Sequence, residues 1–436
     1  MLDTTGLSVV KDIAVKHVAD GSEHPQDVRE KTLRRSTRVK NVMPWFPGMQ
    51  SFAARIGKDG EPVTLQEALD RHPQKWYDAV ADELQSHEEN KTWELTTLPP
   101  GKKEISSKWV FKLKVNADDT VRYKARLVIR GFEQKYGLDF QETFAPVAKF
   151  ATVRIMLALA AQMDWEVHQM DVKTAFLYPD IQDEVYMTLP EGFDMFHKDA
   201  PAARGQVARL RKTLYGLRQA PRAWYQNIDD FFKSCGLIRS CEDFSLYLSP
   251  TLAIVLYVDD ILLFAKDAGE IVGMKKNLKR EYKMVDLGEL RQFLGLQVQR
   301  NRPGRKLFIH QRPYVEKILE RFQMQDCKGL STPMELKFYA ERAKDESLII
   351  GRQDYQSKIG SIMYAMLGTR PDLAYTISTL SKGNDSPTEI HHRAVKRVFR
   401  FLQNTKELGL LFDGSHIGNA FPEPVCYTDS DWAGDK

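Results

Sequence analysis

Tyr257-Val258-Asp259-Asp260 lies between two apolar runs of strand length, Leu252 to Leu256 and Ile261 to Ala265. The pattern reads as a β-hairpin with two carboxylates at its tip. A tight hairpin turn needs positive φ at its central residues and so favours Asn-Gly or Asp-Gly. Two adjacent aspartates meet that need less well, and their like charges repel. Cations bound over the tip would offset the cost, which makes the pair a candidate metal site; an exposed acidic turn is the plainer alternative.

Working outward, Glu166 to Leu177 reads as a strand that runs into a turn or helix, with Asp171 at the junction. A carboxylate ending an apolar strand suits an active site, yet it is also a common helix N-cap. Taken with Asp259 and Asp260, it gains meaning. Three carboxylates at adjacent strand ends could hold two divalent cations roughly 3.5–4 Å apart, which would activate a hydroxyl and stabilise a leaving pyrophosphate. Hard oxygen donors and nucleotide phosphates suit magnesium.

Further upstream, Lys108 to Val115 and Val121 to Ile129 read as two strands around the turn Asn116-Ala117-Asp118-Asp119. Alternation puts Arg122, Lys124 and Arg126 on one side and Val121, Tyr123, Ala125 and Leu127 on the other. With Lys108, Lys112, Lys114 and Arg130 this makes a basic face, suited to polyphosphate or to a nucleic-acid backbone. A solvated edge that resists aggregation would look the same.

Elsewhere the chain alternates between helical and strand patterns. Leu65, Ala68, Leu69, Trp76, Ala79, Val80 and Leu84 recur at helical steps from Thr64, as a helix or helix pair would. Val153 to Met163 is apolar enough for a buried helix, and a helix opens near Pro221 and continues through Phe231 and Phe232. Another, from about Gly269 to Met284, carries Lys275, Lys276, Lys279, Arg280 and Lys283 on an expected outer face. Phe293 to Val298 and Lys306 to Ile309 suggest a second hairpin, and 313–325, 354–382 and 389–402 look helical.

A length of 436 residues implies several subdomains. The net charge of +4 is small for a nucleic-acid binder, so the local clustering of cations carries the argument instead. Cys235, Cys241, Cys327 and Cys426 show neither disulfide nor zinc spacing, which points to a reduced intracellular compartment. No stretch has the length and apolarity of a membrane span. Residues 1–60 read as a disordered basic linker whose run from Lys31 to Lys40 could contact phosphate or serve as a nuclear address.

Tyr257-Val258-Asp259-Asp260 resembles the catalytic signature of reverse transcriptases, and its surroundings resemble the copia-type retrotransposon Pol polyprotein. The matching stretches include Lys108 to Lys112, Tyr123 to Val128, Phe140 to Val147, Gln169 to Leu177, Leu214 to Trp224, Asp286 to Leu290, Thr369 to Tyr375 and Tyr427 to Gly434. The resemblance runs from about Glu61 to the last residue. It implies an α+β, right-hand polymerase fold of fingers, palm and thumb over 61–335, a helical connection over 336–415 and the first strand of a truncated ribonuclease H-like domain over 416–436.

Residue by residue, the resemblance makes Asp171, Asp259 and Asp260 the catalytic acids that bind two Mg²⁺ or Mn²⁺ ions. Phe176 would close off space beside the sugar C2′, and Lys124, Arg126, Tyr215, Gly216 and Gln219 would face the incoming nucleotide. Phe293-Leu294-Gly295 would grip the primer end. Asp429 would be the first acid of a ribonuclease H site without its partners, so that activity is not expected. The implied function is RNA-directed DNA synthesis from dNTPs on an RNA template and DNA primer. The expected location is intracellular: cytoplasmic, in a virus-like particle, with possible nuclear access. Tyr178-Pro179 departs from the family's Asn-Gly, and Lys382-Gly383-Asn384-Asp385 from a longer aromatic segment. The Tyr178-Pro179 turn and the expected truncation at Lys436 keep open a catalytically inactive remnant that at most binds nucleic acid.

Overall fold

The computed structural model describes residues 61–115, 121–196, 205–335, 338 and 349–415. The basic run at 31–40, the turn at 116–119 and Asp429, with the strand expected after 416, lie outside the described residues. Along the chain the elements are α1 (Leu65–Arg71), α2 (Pro73–Glu89), β1 (Trp93–Thr97), β2 (Glu104–Ile105), β3 (Ser107–Val115) and β4 (Val121–Ile129). Next come α3 (Phe150–Gln162), β5 (Glu166–Val172), β6 (Tyr186–Met187), β7 (Gln206–Leu210), α4 (Ala220–Ser234), β8 (Ile238–Arg239), β9 (Leu246–Leu248), β10 (Leu252–Tyr257) and β11 (Asp260–Ala265). They are followed by α5 (Ala268–Glu281), β12 (Met284–Glu289), β13 (Gln292–Phe293), β14 (Leu296–Asn301), β15 (Lys306–His310), α6 (Arg312–Arg321), α7 (Arg352–Gly368), α8 (Ala374–Ser381), α9 (Glu389–Asn404) and β16 (Gly409–Asp413).

A six-stranded sheet in the order β12-β5-β11-β10-β9-β8 forms the centre. Strands β10 and β11 are apolar over Leu252–Leu256 and Ile261–Ala265 because both faces are covered, whereas β5 carries His168, Gln169 and Asp171. Met170, Val172, Ile261 and Leu263 pack against Trp224, Ile228 and Phe232 of α4 and Ile271, Met274 and Leu278 of α5. Val167, Val255, Leu262 and Phe264 pack on the other side against α3 and against Phe293, Leu296, Leu307 and Ile309. Those last residues belong to a second sheet, β13-β14-β15-β16, to which the chain returns at β16 after the α6–α9 bundle.

Before the central sheet, β3 and β4 form a long antiparallel ribbon. Its inner face, Trp109, Phe111, Ala125 and Leu127, packs on α2, where Trp76 meets Phe111 and Tyr123 edge-on at 5.0 and 4.7 Å. Glu83 of α2 accepts the Leu127 N–H at 3.2 Å, satisfying a donor that the ribbon leaves over. The helical pattern from Thr64 resolves into two helices because Pro73 opens the second.

Two expectations need correction. Lys275 is not on the outer face of α5: it is buried, donating to Asp286 Oδ1 at 2.6 Å and lying 2.9 Å from His168 Nδ1. A buried ammonium needs such partners. The hairpin tip is also tighter than its sequence suggests, since Tyr257 pairs with Asp260 and only Val258 and Asp259 form the turn.

Candidate active site

The register of the central sheet sets the site. Asp260, first residue of β11, stands directly opposite Asp171 near the end of β5. Residues directly opposite share a face, so the two carboxylates are neighbours. Asp259 sits in the turn beside them, and its carbonyl accepts the Val172 N–H at 2.9 Å. All three acids are half-buried.

The turn itself is held under strain. Val258 has φ +57° while Asp259 is not in the left-handed region, so the positive φ falls on the first central residue, where hairpins of this kind prefer glycine. A β-branched residue there is disfavoured. The Trp224 indole N–H donates to the Val258 carbonyl at 2.6 Å from one face of the sheet. On the same face as Asp171 and Asp260, Gln169 Nε2 donates to Asp260 Oδ1 at 3.0 Å.

The basic ribbon reaches this corner. Arg126 lies over the Tyr215 ring at 5.6 Å, and Phe176 meets the same ring edge-on at 5.0 Å. Burial pushes the Tyr215 phenol up, Arg126 opposes that shift and the charge of Asp259 adds to it, which ties all three groups to one neighbourhood. Lys124 is on the same outer face as Arg126, opposite Lys112, whose ammonium is bound by Glu61 at 2.7 Å.

Gly216 brings its loop against β4. With φ +98°, it lets the loop press on β4: a Cβ there would lie 2.1 Å from the Ile129 carbonyl, and Ile129 N–H donates to Tyr215 O at 2.9 Å. Gln219 is buried, and its amide donates to the Asp139 carbonyl and to Asp183, both at 2.9 Å, while accepting from Gln134 at 3.0 Å. Both residues therefore build the loop beneath Tyr215.

Phe293 is buried, with its ring edge-on to Tyr257 at 6.3 Å, and Leu294 and Gly295 form a two-residue turn with φ +49° and +76°. Tyr364 of α7 donates its hydroxyl to the Leu294 carbonyl. Burial first, then the nearby Tyr364, Asp260 and Asp259, push the Tyr257 phenol up to about 12. The turn at 293–295 thus stands beside the acids through Tyr257.

The departure at Tyr178-Pro179 is built into the core. The Tyr178 hydroxyl accepts the Lys283 N–H at 2.6 Å, its ring is edge-on to Tyr282 at 5.0 Å, and Pro179 O accepts from Thr213 N–H at 3.0 Å. Gln169, Trp224 and Tyr364 were missed by sequence reasoning. Gln169 shares the two-residue period of Asp171, and both Gln169 and Trp224 fall in the family-like stretches, whereas Tyr364 has no such signal.

Among the described residues, no three His, Cys, Asp or Glu side chains close into a cluster that could hold a metal by themselves. The donor chemistry still fits magnesium, which is commonly bound through one or two carboxylates, with water and substrate phosphates completing its shell. Asp171, Asp259 and Asp260 would be its ligands.

A family model described as "Reverse transcriptase (RNA-dependent DNA polymerase)" matches residues 90–336. The "Retrovirus-related Pol polyprotein from transposon TNT 1-94" of Nicotiana tabacum is 41% identical over 418 residues, covering 92% of this chain and 30% of that protein. The corresponding polyprotein from transposon RE1 of Arabidopsis thaliana is 36% identical over 396 residues, covering 88% and 26%. The chain therefore spans less than a third of the length of these two relatives. A solved foamy viral protease-reverse transcriptase in complex with double-stranded DNA aligns at a TM-score of 0.39 and 13% identity, over 75% of this chain and 48% of that one.

Proposed function

The chain belongs to the reverse transcriptase family of copia-type transposon polyproteins, and from that premise we propose that it extends a DNA primer on an RNA template, using dNTPs. The observation that carries the reading is the cross-strand pair Asp171 and Asp260 with Asp259 in the adjoining turn. We assign the central sheet to a palm, the β3–β4 ribbon to fingers, α6 to a thumb and α7–α9 to the helical connection over 336–415.

Two bound divalent ions would supply activation of the primer 3′-hydroxyl and neutralisation of charge on the transferring phosphate. The chain's own groups bind and orient. Asp171 and Asp259 serve as the principal ligands, with Asp260 supporting them. Arg126 and Lys124 face the triphosphate with fixed positive charge, and the Arg126–Tyr215 contact limits where the guanidinium can go. Phe176, braced edge-on by Tyr215, closes the space beside C2′ and so selects deoxynucleotides. The turn at 293–295, tied to α7 through Tyr364, supports the primer end next to Tyr257.

Primer extension tests this reading. The chain should incorporate dNTPs on an RNA template with Mg²⁺ or Mn²⁺, and Asp259→Asn should abolish the signal. A chain that binds primer–template but extends nothing would instead be an inactive remnant. Extension on DNA but not RNA templates would point to a DNA-templated polymerase.

A further inference from the structure

Gln169 lies two residues before Asp171 on β5, so the pleat places both side chains on one face. Its amide donates to Asp260 Oδ1 at 3.0 Å, and the residue is 8% exposed. Its neighbours in that layer are apolar: Val167, Leu262 and Phe264 are all core residues. An apolar side chain at 169 would extend that core without the desolvation cost of an amide. Directly opposed like charges are destabilising, so Asp260 beside Asp171 needs a donor.

The kind of donor matters. A lysine or arginine at 169 would form a charge-assisted pair with Asp260 and compete with any divalent cation for the carboxylate. A neutral amide fixes the carboxylate's orientation and leaves its charge intact. We infer that Gln169 is a positioning residue: its amide holds Asp260 in one orientation beside Asp171 while preserving the full negative charge that a divalent cation requires. The inference rests on the metal-binding reading proposed above. Hydrogen-bond partners of metal ligands commonly carry such weight, and their loss typically costs about 10- to 100-fold in affinity or activity.

The test uses the full chain with Mn²⁺ as the probe, titrated without nucleotide or primer and followed by electron paramagnetic resonance. Thermal melting is recorded alongside. The parent should bind Mn²⁺ with an affinity that Asp259→Asn lowers. Absence of any Asp259-dependent binding would overturn the inference, while the polymerase reading is decided separately by primer extension. Gln169→Met deletes the donor at nearly constant volume and should weaken Mn²⁺ binding about tenfold, with little change in melting temperature. In an Asp260→Asn background the same substitution should change affinity by less than about twofold, because its partner is already altered.

Equal Mn²⁺ affinity in Gln169→Met and the parent, or an equal loss in both backgrounds, would overturn the inference while leaving the polymerase reading in place. Should Gln169→Met fail to fold, Gln169→Leu supports the same two comparisons. A purely packing role would lower the melting temperature in both backgrounds and would not single out Asp260.

Discussion

Val258 takes φ +57° at a turn where glycine would be unstrained, and Trp224 donates to its carbonyl. Backbone strain of this kind costs about 1–3 kcal/mol and persists only where the surroundings enforce it. Trp224→Phe keeps an aromatic ring in the cluster but deletes this hydrogen bond and leaves a cavity, so the expected loss of stability is about 2–3 kcal/mol. The expected loss of turnover is larger, because the turn carries Asp259; stopped-flow incorporation compared with chemical denaturation separates the two. Phe176→Ala should open the space beside the sugar, and discrimination against ribonucleotides should fall by about tenfold or more, read as the ratio of kcat/KM for dNTP and rNTP. At this scale the placement of the acids was most legible, since apolar runs of strand length put Asp171, Asp259 and Asp260 at or near strand ends, where the sheet register brings them together. The sequence was least legible in Trp224 and Tyr364, whose roles depend on a carbonyl reached through the fold.

The loop from Leu214 to Gln219 and the strand β4 act as one element because Gly216 lets their backbones touch. Gly216→Ala must move the loop and strain a positive φ, at an expected cost of about 2 kcal/mol or more, measured by thermal unfolding. Helix α5 and strand β12 are joined by Asp286, which accepts from Lys275 at 2.6 Å and Lys279 at 3.1 Å. Burial raises the Asp286 carboxyl, but hydrogen bonds from Lys275, Lys279 and the Gly288 N–H outweigh it and hold the group at about 2. Its folded value lies below the ordinary 3.8, so its stabilisation is complete above that value and is lost as pH falls through about 2. Asp286→Asn should lower stability at neutral pH by about 1 kcal/mol, solvent screening of the exposed carboxylate being allowed for, and flatten the acid limb of a pH–stability profile between about 4 and 2. Helix and strand positions were largely legible: α3, α4 and the β10–β11 hairpin fall where apolar periodicity placed them. Strand β12 was not, since Met284–Glu289 alternates weakly and is defined by its pairing with β5.

Over the whole molecule, the described residues bring the basic ribbon near the acids through Tyr215 and the turn at 293–295 near them through Tyr257. The run of family-like blocks made membership of the family legible. The return of β16 to pair with β15 was not, because Gly409–Asp413 is short and its partner lies about a hundred residues upstream. No helix among the described residues is long and apolar enough to cross a membrane. If the outer face of the ribbon contacts nucleic-acid phosphates, Arg122→Ala should reduce the salt dependence of primer–template binding by about one unit of slope, with little dependence on sequence. The most direct test of the central claim is incorporation of a single dNTP on an RNA template by the parent chain and by Asp259→Asn, in Mg²⁺ and under single-turnover conditions. Incorporation by the parent and none by the variant is the expected result; equal signal from both would contradict a polymerase site at Asp171, Asp259 and Asp260.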